Sequence, residues 1–364
     1  MLLLEGEEKE GWLKAMQSEF DSLRENKVFT QTKLPAQRNV IGCRWLYKVK
    51  YLPGGEILRK ARLVAKGYSQ REGQDFDGVF APTVKSDTLK ATLCKASRDQ
   101  MQVHHFDFTT AYLNADLNEE LYMEQIPGFE SANKQSVLKL HKAIYGLKQS
   151  ARSWSMCLSK ALVSLGFKQG VADPCMFTRC VGGKQCILLV YVDNICLLIH
   201  DQSQLNWFKN AAGSLFNMKH LGSIQNYLGV EITRNPEGYF ELSQGKKIEQ
   251  LLTKFEMAEA KCAVTPMTTG YIKEKSDQVF ENKLLFQSLV GSLLYLSCWT
   301  RPDICIAVHL LSQRCACPYD KDWVAAKRVL QYLKGMVSAK RSLNTNEEEP
   351  VMAYSDASWG TEKM

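Results

Sequence analysis

Residues 186–199 read CILLVYVDNICLLI, and the rest of the chain can be understood from this stretch outward. Two apolar runs, Cys186 to Val190 and Ile195 to Ile199, flank a short interruption that contains Asp193 and Asn194. Each run has the length and the β-forming residues of a strand, so the pair predicts a β-hairpin with Asp193 and Asn194 at its tip. Asp and Asn suit a tight turn, but a carboxylate raised on a rigid hairpin can also present a metal ligand. The stretch alone leaves both interpretations open.

A second carboxylate lies at the end of another predicted strand. Residues 103–108 read VHHFDF and lead into a Thr-Thr-Ala-Tyr turn, so Asp107 falls where an apolar strand ends. Asp107 and Asp193 are 86 residues apart and can meet only through the fold. If they meet, they can hold divalent cations for in-line phosphoryl transfer. The alternative for each is an ordinary turn residue.

The net charge of +7 has an uneven distribution along the chain. Residues 39–71 contain eight basic residues and one acid, Glu56, so this stretch alone matches the excess of the whole chain. Such a concentration indicates a polyanionic partner, either phosphate or nucleic acid. A solvated basic face is the alternative.

The basic stretch predicts a hairpin of its own. Residues 44–51 and 57–65 have strand patterns, and Pro53-Gly54-Gly55 between them is a turn signal. Alternation places Lys48 and Lys50 on one face of the first strand, and Lys60 and Arg62 on one face of the second.

Length and composition bound the class of protein. A chain of 364 residues with 45% hydrophobic residues is expected to fold into about two or three packed units. Its 12 cysteines have no framework-like spacing, no secretory signal precedes them, and no apolar run approaches the roughly 18 residues of a membrane span. We therefore expect a soluble intracellular protein, cytoplasmic or nuclear, that is neither secreted nor membrane-bound. The pattern changes from mixed α/β to mostly helical near residue 245.

Several segments, in order, resemble the reverse transcriptase of copia-type LTR retrotransposons. They are RWLYKVKYLPGGEILRKARLVAKGYSQREGQDFDGVFAPT (44–83), HHFDFTTAYLNADLNEELYMEQIPGF (104–129), AIYGLKQSARSW (143–154), YVDN (191–194), NYLGVEI (226–232), VGSLLYLSCWTRPDI (290–304) and AAKRVLQYLKG (325–335). The resemblance covers nearly the whole chain.

The resemblance implies an α+β fold of the right-hand polymerase type, with fingers, an antiparallel palm sheet and a helical thumb. We expect fingers and palm in residues 12–245 and a helical thumb or connection in residues 246–340. Residues 350–364 are expected to begin an RNase H domain, with Asp356 at its first carboxylate and the other acids of that domain absent. The implied partners are an RNA or DNA template with its primer, and dNTPs.

The resemblance also assigns a metal site. Asp107, the carbonyl of Phe108 and Asp193 match the family's ligands for two Mg²⁺ ions, which Mn²⁺ can replace. Asp193 and Asn194 occupy the positions of the family's two consecutive turn carboxylates, so Asp107, Asp193 and Asn194 are the catalytic positions.

A nucleotide site is implied by further matches. Tyr112 matches the aromatic gate that excludes a ribose 2′-hydroxyl, and Gln149 matches a side chain placed against the incoming nucleotide and template. The remaining contacts to the nucleotide or template are Lys48, Lys60, Arg62 and Phe108. The alternatives are packing for Tyr112, a helix cap for Gln149 and solvated surface for the basic residues.

Asn194 is the main departure from the family, which has a second Asp at this position. Asn keeps the shape of the turn but removes one negative charge, and its amide oxygen is a poorer Mg²⁺ ligand than a carboxylate. Ala151 also replaces the usual Pro, and the sequence shows no capsid, protease or integrase segment. We expect either a functional RNA-directed DNA polymerase or a catalytically inactive relic that at most binds nucleic acid. Asn194 and the short flanks favour impaired catalysis.

The basic hairpin generates the first testable prediction. Reversing Lys60 and Arg62 to Glu should weaken binding to a primer–template of any sequence, because phosphate contacts carry no base information. Binding by the unaltered protein should itself fall as salt rises. Fluorescence anisotropy with a labelled primer–template over a salt series measures both effects. Unchanged affinity of the double variant at low salt would remove the hairpin from the binding site.

Overall fold

The structure is a computed structural model that describes residues 6–51, 55–271 and 278–344. Its helices are α1 Gly6–Glu25, α2 Ser86–Arg98, α3 Ser150–Ser164, α4 Gln202–Gly213, α5 Gly245–Lys254, α6 Lys283–Trp299, α7 Cys305–Ser312 and α8 Asp320–Lys334. The segment expected to begin an RNase H domain, with Asp356, lies outside the described residues, and so do Pro53 and Gly54.

Sixteen strands form four sheets within the described ranges. They are β1 Phe29–Lys33, β2 Val40–Ile41, β3 Cys43–Tyr51, β4 Ile57–Ala65, β5 Gln102–Phe108, β6 Asp116–Met123, β7 Ser136–Lys142, β8 Lys168–Gln169, β9 Met176–Val181, β10 Lys184–Tyr191, β11 Asn194–Ile199, β12 Met218–Ser223, β13 Asn226–Tyr227, β14 Val230–Arg234, β15 Phe240–Ser243 and β16 Arg341–Leu343. The sheets have the orders β1-β7-β6-β2, β12-β5-β11-β10-β9-β8, β13-β14-β15-β16 and β3-β4.

The mixed α+β class expected from the sequence is confirmed. The two apolar strands of the central hairpin and the mostly helical region after residue 245 are both present, as predicted. Strand β6 was not predicted. Its sequence, DLNEELYM, begins with acidic and amide residues and contains no β-branched residue, so its strand character comes from pairing with β7 rather than from local propensity.

The six-stranded sheet is built around the apolar hairpin β10–β11. Every residue from Cys186 to Val190 and from Ile195 to Ile199 is buried, which is why these strands read as continuous apolar runs instead of alternating ones. The neighbouring hairpin β9–β10 turns at Gly182 and Gly183, which both have positive φ (58° and 77°). A pair of such residues is what a two-residue type I′ turn requires.

The basic hairpin β3–β4 rests on helix α1. Trp12 packs edge-on against Tyr47 with ring centroids 5.1 Å apart, and Tyr47 donates to the sulfur of Met16 at 3.4 Å. Ala61 and Leu63 are buried on the same face of the hairpin. The opposite face carries Lys48, Lys60 and Arg62.

Two compact units are present among the described residues. The first comprises described residues within 6–84, 106–197 and 202–221, and one of its cores packs Leu23, Ile41 and Leu121 with residues of β4 and β7. The second comprises described residues within 85–105, 198–201 and 222–344, and its largest core is helical, formed by α5, α6, α7 and α8. No helix in the described ranges is both long enough and apolar enough to cross a membrane.

The helical core generates the second prediction. Leu293 in the middle of α6 is fully buried, whereas Leu284 near the start of the same helix is 77% exposed. Leu293→Ala should lower the free energy of unfolding by about 2–5 kcal/mol, because it removes buried methyl groups and leaves a cavity. Leu284→Ala, the matched control, should change it by no more than about 0.5 kcal/mol. Urea denaturation followed by circular dichroism measures both, and equal losses would place Leu293 outside a packed core.

Candidate active site

The turn between β10 and β11 consists of Val192 and Asp193, because β10 ends at Tyr191 and β11 begins at Asn194. The predicted hairpin is confirmed, but its tip lies one residue earlier than predicted. Val192 has φ = 56° and Asp193 is not among the residues with positive φ, which matches the type II′ pattern. That pattern favours glycine at its first position, so a β-branched valine there is strained by about 1–3 kcal/mol.

Two hydrogen bonds hold this strained turn. The backbone N–H of Phe108 donates to the carbonyl oxygen of Asp193 at 2.8 Å, and the indole Nε1 of Trp154 donates to the carbonyl oxygen of Val192 at 2.7 Å. Below the turn the rings of Phe108, Trp154 and Phe216 pack edge to face, with centroids 5.2–5.4 Å apart. Because all three rings are buried, the turn sits on a rigid apolar base.

The Phe108–Asp193 bond brings the two predicted carboxylate positions onto adjoining strands. Asp107 precedes Phe108 on β5, which neighbours β11 in the sheet. Two carboxylates and the main-chain carbonyl of Phe108 would form a hard oxygen donor set, and such a set fits Mg²⁺ or Mn²⁺. Within the described ranges, however, no group of three or more His, Cys, Asp and Glu side chains is close enough to hold a metal ion.

Asn194 acts on Asp193 directly. Its amide nitrogen Nδ2 donates to Oδ1 of Asp193 at 2.8 Å. A carboxylate at position 194 could not make this bond and would place a like charge beside Asp193. The Asn thus stabilises the turn carboxylate in the absence of a cation.

Most basic residues of the hairpin share one face, and Arg59 lies on the other. Lys48 lies directly opposite Lys60 and Lys50 lies opposite Leu58 in the β3–β4 register, so Lys48, Lys50, Lys60 and Arg62 project to the same side. Burial, followed by the charges of Arg62 and Lys50, lowers the pKa of Lys60. Crowded cations of this kind are a surface that an anion would stabilise.

Charge interactions relate some of the predicted site residues to one another. The negative charge of Asp107 raises the pKa of Lys60 and so opposes its lowering by burial. Burial, and then the charge of Asp193, raises the pKa of Tyr112, whereas the charge of Arg62 lowers it. Lys60 therefore lies within electrostatic reach of Asp107, and Tyr112 lies within reach of Asp193 and Arg62.

Gln149 lies in a buried hydrogen-bond network. It is 1% exposed, its amide nitrogen donates to the carbonyl oxygen of Asp75 at 2.9 Å, and its amide oxygen accepts from Gln70 at 3.0 Å. Gln70 also accepts the backbone N–H of Lys148 at 2.8 Å. The side chain of Gln149 therefore joins the segment around Gln70 to the start of α3, and it does not cap that helix. Its contact with a nucleotide stays a prediction.

Two residues of the site were not predicted. Trp154 is the last residue of the quoted segment 143–154 and was assigned no role there, although its indole Nε1 donates a hydrogen bond to the turn. Tyr145 was part of a quoted motif but was not singled out, and its ring lies between Arg62 and Tyr112. The local sequence pattern does not predict the contact of either residue, because the partner of each is at least 30 residues away in sequence.

Most of the chain matches a known protein family. Residues 26–269 match the family described as reverse transcriptase (RNA-dependent DNA polymerase). The chain is 38% identical over 343 residues to the retrovirus-related Pol polyprotein from transposon TNT 1-94 of Nicotiana tabacum, covering 90% of this chain and 26% of that protein. It is 36% identical over 352 residues to the Pol polyprotein from transposon RE2 of Arabidopsis thaliana, covering 96% and 24%. The chain thus spans about a quarter of the length of these relatives.

Among solved structures, the chain is similar to a foamy viral protease–reverse transcriptase in complex with double-stranded DNA. The sequence identity is 11% and the TM-score is 0.42, over 92% of this chain and 49% of that one.

The Asn194–Asp193 bond generates the third prediction. Asn194→Asp should lower the free energy of unfolding by about 1 kcal/mol without divalent cations, because it removes this bond and adds a like charge. Millimolar Mn²⁺ should restore the loss, since binding to the native state alone stabilises it. Asn194→Ala is the control, because it loses the bond without adding a ligand and Mn²⁺ should not rescue it. Thermal denaturation with and without Mn²⁺ measures these differences, and an equal response of both variants would contradict a metal site at this turn.

Proposed function

Because this chain belongs to the reverse transcriptase family and resembles plant copia-type Pol polyproteins, we propose that it is the polymerase region of such a polyprotein. Its reaction would be RNA-directed DNA synthesis on an RNA or DNA template. A primer 3′-hydroxyl would lose its proton and attack the α-phosphorus of a dNTP, and the bond to the α,β-bridging oxygen would break so that pyrophosphate leaves. Residues 12–245 would serve as fingers and palm and residues 246–340 as the thumb. Residues 350–364 would begin an RNase H domain.

One observation carries this proposal, namely the bond between the Phe108 N–H and the Asp193 carbonyl. It joins the strand of Asp107 to the turn of Asp193, and these are the two positions that match the family's metal-binding carboxylates. Bound divalent cations would supply charge neutralisation at the reacting phosphate and lower the pKa of the attacking hydroxyl. Asp107, Asp193 and the carbonyl of Phe108 would hold them.

The hairpin face supports binding of the substrates. Lys48, Lys60 and Arg62 share that face, and the charge of Asp107 acts on Lys60. Lysine and arginine on a rigid strand pair can hold a triphosphate or template phosphate by charge-assisted hydrogen bonds. Tyr112, which is partly exposed on the short 3₁₀ turn Ala111–Asn114, would close the sugar site and exclude a 2′-hydroxyl.

Asn194 supports impaired catalysis in this copy. With Asn at this position the site has one negative charge fewer to balance two dications, so the cation at the attacking hydroxyl would be held weakly. The alternative function is therefore a catalytically inactive retroelement relic that at most binds nucleic acid. The same substitution favours that alternative, and the two differ in whether any primer is extended.

The fourth prediction separates the two functions. Asn194→Asp should raise the rate of primer extension at least about a hundredfold, because a lost carboxylate ligand corresponds to several kcal/mol and each 1.36 kcal/mol is about tenfold. Mn²⁺ should raise the low rate of the unaltered protein, since it accepts nitrogen and oxygen ligands more readily than Mg²⁺. Single-nucleotide extension of a labelled primer, first with Mg²⁺ and then with Mn²⁺, measures both effects.

Asp193→Ala is the matched control and should abolish extension in either background. A robust rate in the unaltered protein that Asn194→Asp does not change would contradict impaired catalysis. No extension by any variant, together with salt-sensitive binding of primer–template, would favour the relic.

A further inference from the structure

Tyr145 lies on the link between β7 and α3, and its backbone is fixed against the end of β4. The N–H of Ala65 donates to the carbonyl oxygen of Tyr145 at 2.8 Å, and the preceding Ile144 is 1% exposed. The following Gly146 has φ = 93°, and a Cβ there would lie 2.1 Å from the Ala65 carbonyl oxygen. Only glycine permits this close approach, so the position of Tyr145 is set by the contact with β4.

The ring of Tyr145 contacts two residues of the proposed nucleotide site. The guanidinium carbon of Arg62 lies 4.3 Å from its centroid, and the centroid of Tyr112 lies 4.8 Å away at an interplanar angle of 61°. These are the geometries of a cation–π contact and an edge-to-face ring pair. The Tyr145 ring therefore contacts both Arg62 of the basic hairpin and Tyr112, the proposed gate residue.

Burial raises the pKa of Tyr145 to about 12, so its phenol stays neutral near neutral pH. The contacts with Arg62 and Tyr112 are made by the ring.

We propose that Tyr145 is a positioning residue for Tyr112 and thereby sets the discrimination between dNTPs and rNTPs. The inference rests on the proposed polymerase function and deepens it. A gate residue distinguishes the 2′-hydrogen of a dNTP from the 2′-hydroxyl of an rNTP only if its ring is held within a fraction of an ångström. Small misplacements at a reacting site have large effects. Tyr112 stands on a 3₁₀ turn preceded by Thr110 at φ = 52°, and the edge-to-face contact with Tyr145 restricts how far its ring can swing.

Simple packing predicts a different outcome from positioning. If Tyr145 only filled space, an aliphatic side chain of similar volume would replace it without effect on sugar selection. If the ring positions Tyr112, only another aromatic side chain will preserve selection. Tyr145→Phe and Tyr145→Leu distinguish the two cases.

The test uses the full chain with Asn194→Asp, so that primer extension is measurable, and compares kcat/KM for dGTP with that for GTP opposite a template cytosine. Tyr145→Leu should lower this ratio about tenfold, roughly the effect of losing one ring pair. Tyr145→Phe should keep the ratio within about twofold, because the ring is retained. Tyr112→Ala should lower the ratio further and serves as the positive control.

Tyr122→Leu is the matched negative control, because Tyr122 is a buried ring of the same compact unit whose hydroxyl donates to Glu120. It should leave the ratio unchanged even if stability falls. An unchanged ratio in Tyr145→Leu, an equal fall in Tyr145→Phe, or no effect of Tyr112→Ala would overturn the proposal.

A spectroscopic experiment tests this inference independently of the proposed function. If the Asn194→Asp protein extends no primer, the polymerase proposal fails, and ¹⁹F NMR of fluorotyrosine-labelled protein decides the positioning role. The Tyr112 signal, identified by its loss in Tyr112→Phe, should shift or broaden in Tyr145→Leu but not in Tyr122→Leu. A Tyr112 signal that is unaltered in Tyr145→Leu would overturn the positioning role.

Discussion

The Val192–Asp193 turn is held by hydrogen bonds to its two carbonyl groups, and the geometry of the site depends on them. The Phe108 N–H engages the carbonyl of Asp193, and the Trp154 indole engages that of Val192. Val192 has a positive φ that a β-branched residue adopts only at a cost, and such a conformation persists where surrounding contacts over-determine it. The rigid aromatic base under the turn provides those contacts, so the strain marks a position that the fold enforces.

Charge balance is the second constraint on the site. The hairpin face carries several lysine and arginine side chains, and Asp107 lies within electrostatic reach of Lys60. Asn194 donates a hydrogen bond to the Asp193 carboxylate, whereas a second carboxylate at this position would place a like charge beside it. The neutral amide at position 194 therefore favours the stability of the turn.

The site is supported by contacts between segments that are distant in sequence. Gln149 joins the segment around Gln70 to α3 through a buried amide network, and Tyr145 joins the end of β4 to the turn that carries Tyr112. Buried polar networks of this kind hold a unique geometry when every member is satisfied. Motif position predicts that Gln149 contacts a nucleotide, and the structure shows that its buried side chain forms two hydrogen bonds within the protein. Support of the gate by Tyr145 would be a consequence of the same close packing.

Several features of this protein were determined by local sequence. Continuous apolar runs around Asp193 are sufficient to predict the central hairpin, because buried strands are apolar along their length. Apolar spacing predicts the helical region after residue 245, because a helix buries residues at a regular interval. The departure at Asn194 is likewise visible in the sequence. Tertiary structure decided the other features. They are the tip of the hairpin at Val192–Asp193, the strand character of β6, the burial of Gln149 and the contacts of Trp154 and Tyr145. Each depends on a hydrogen bond or ring contact with a partner far along the chain, and residue order does not encode which distant groups the fold will bring within 3–5 Å.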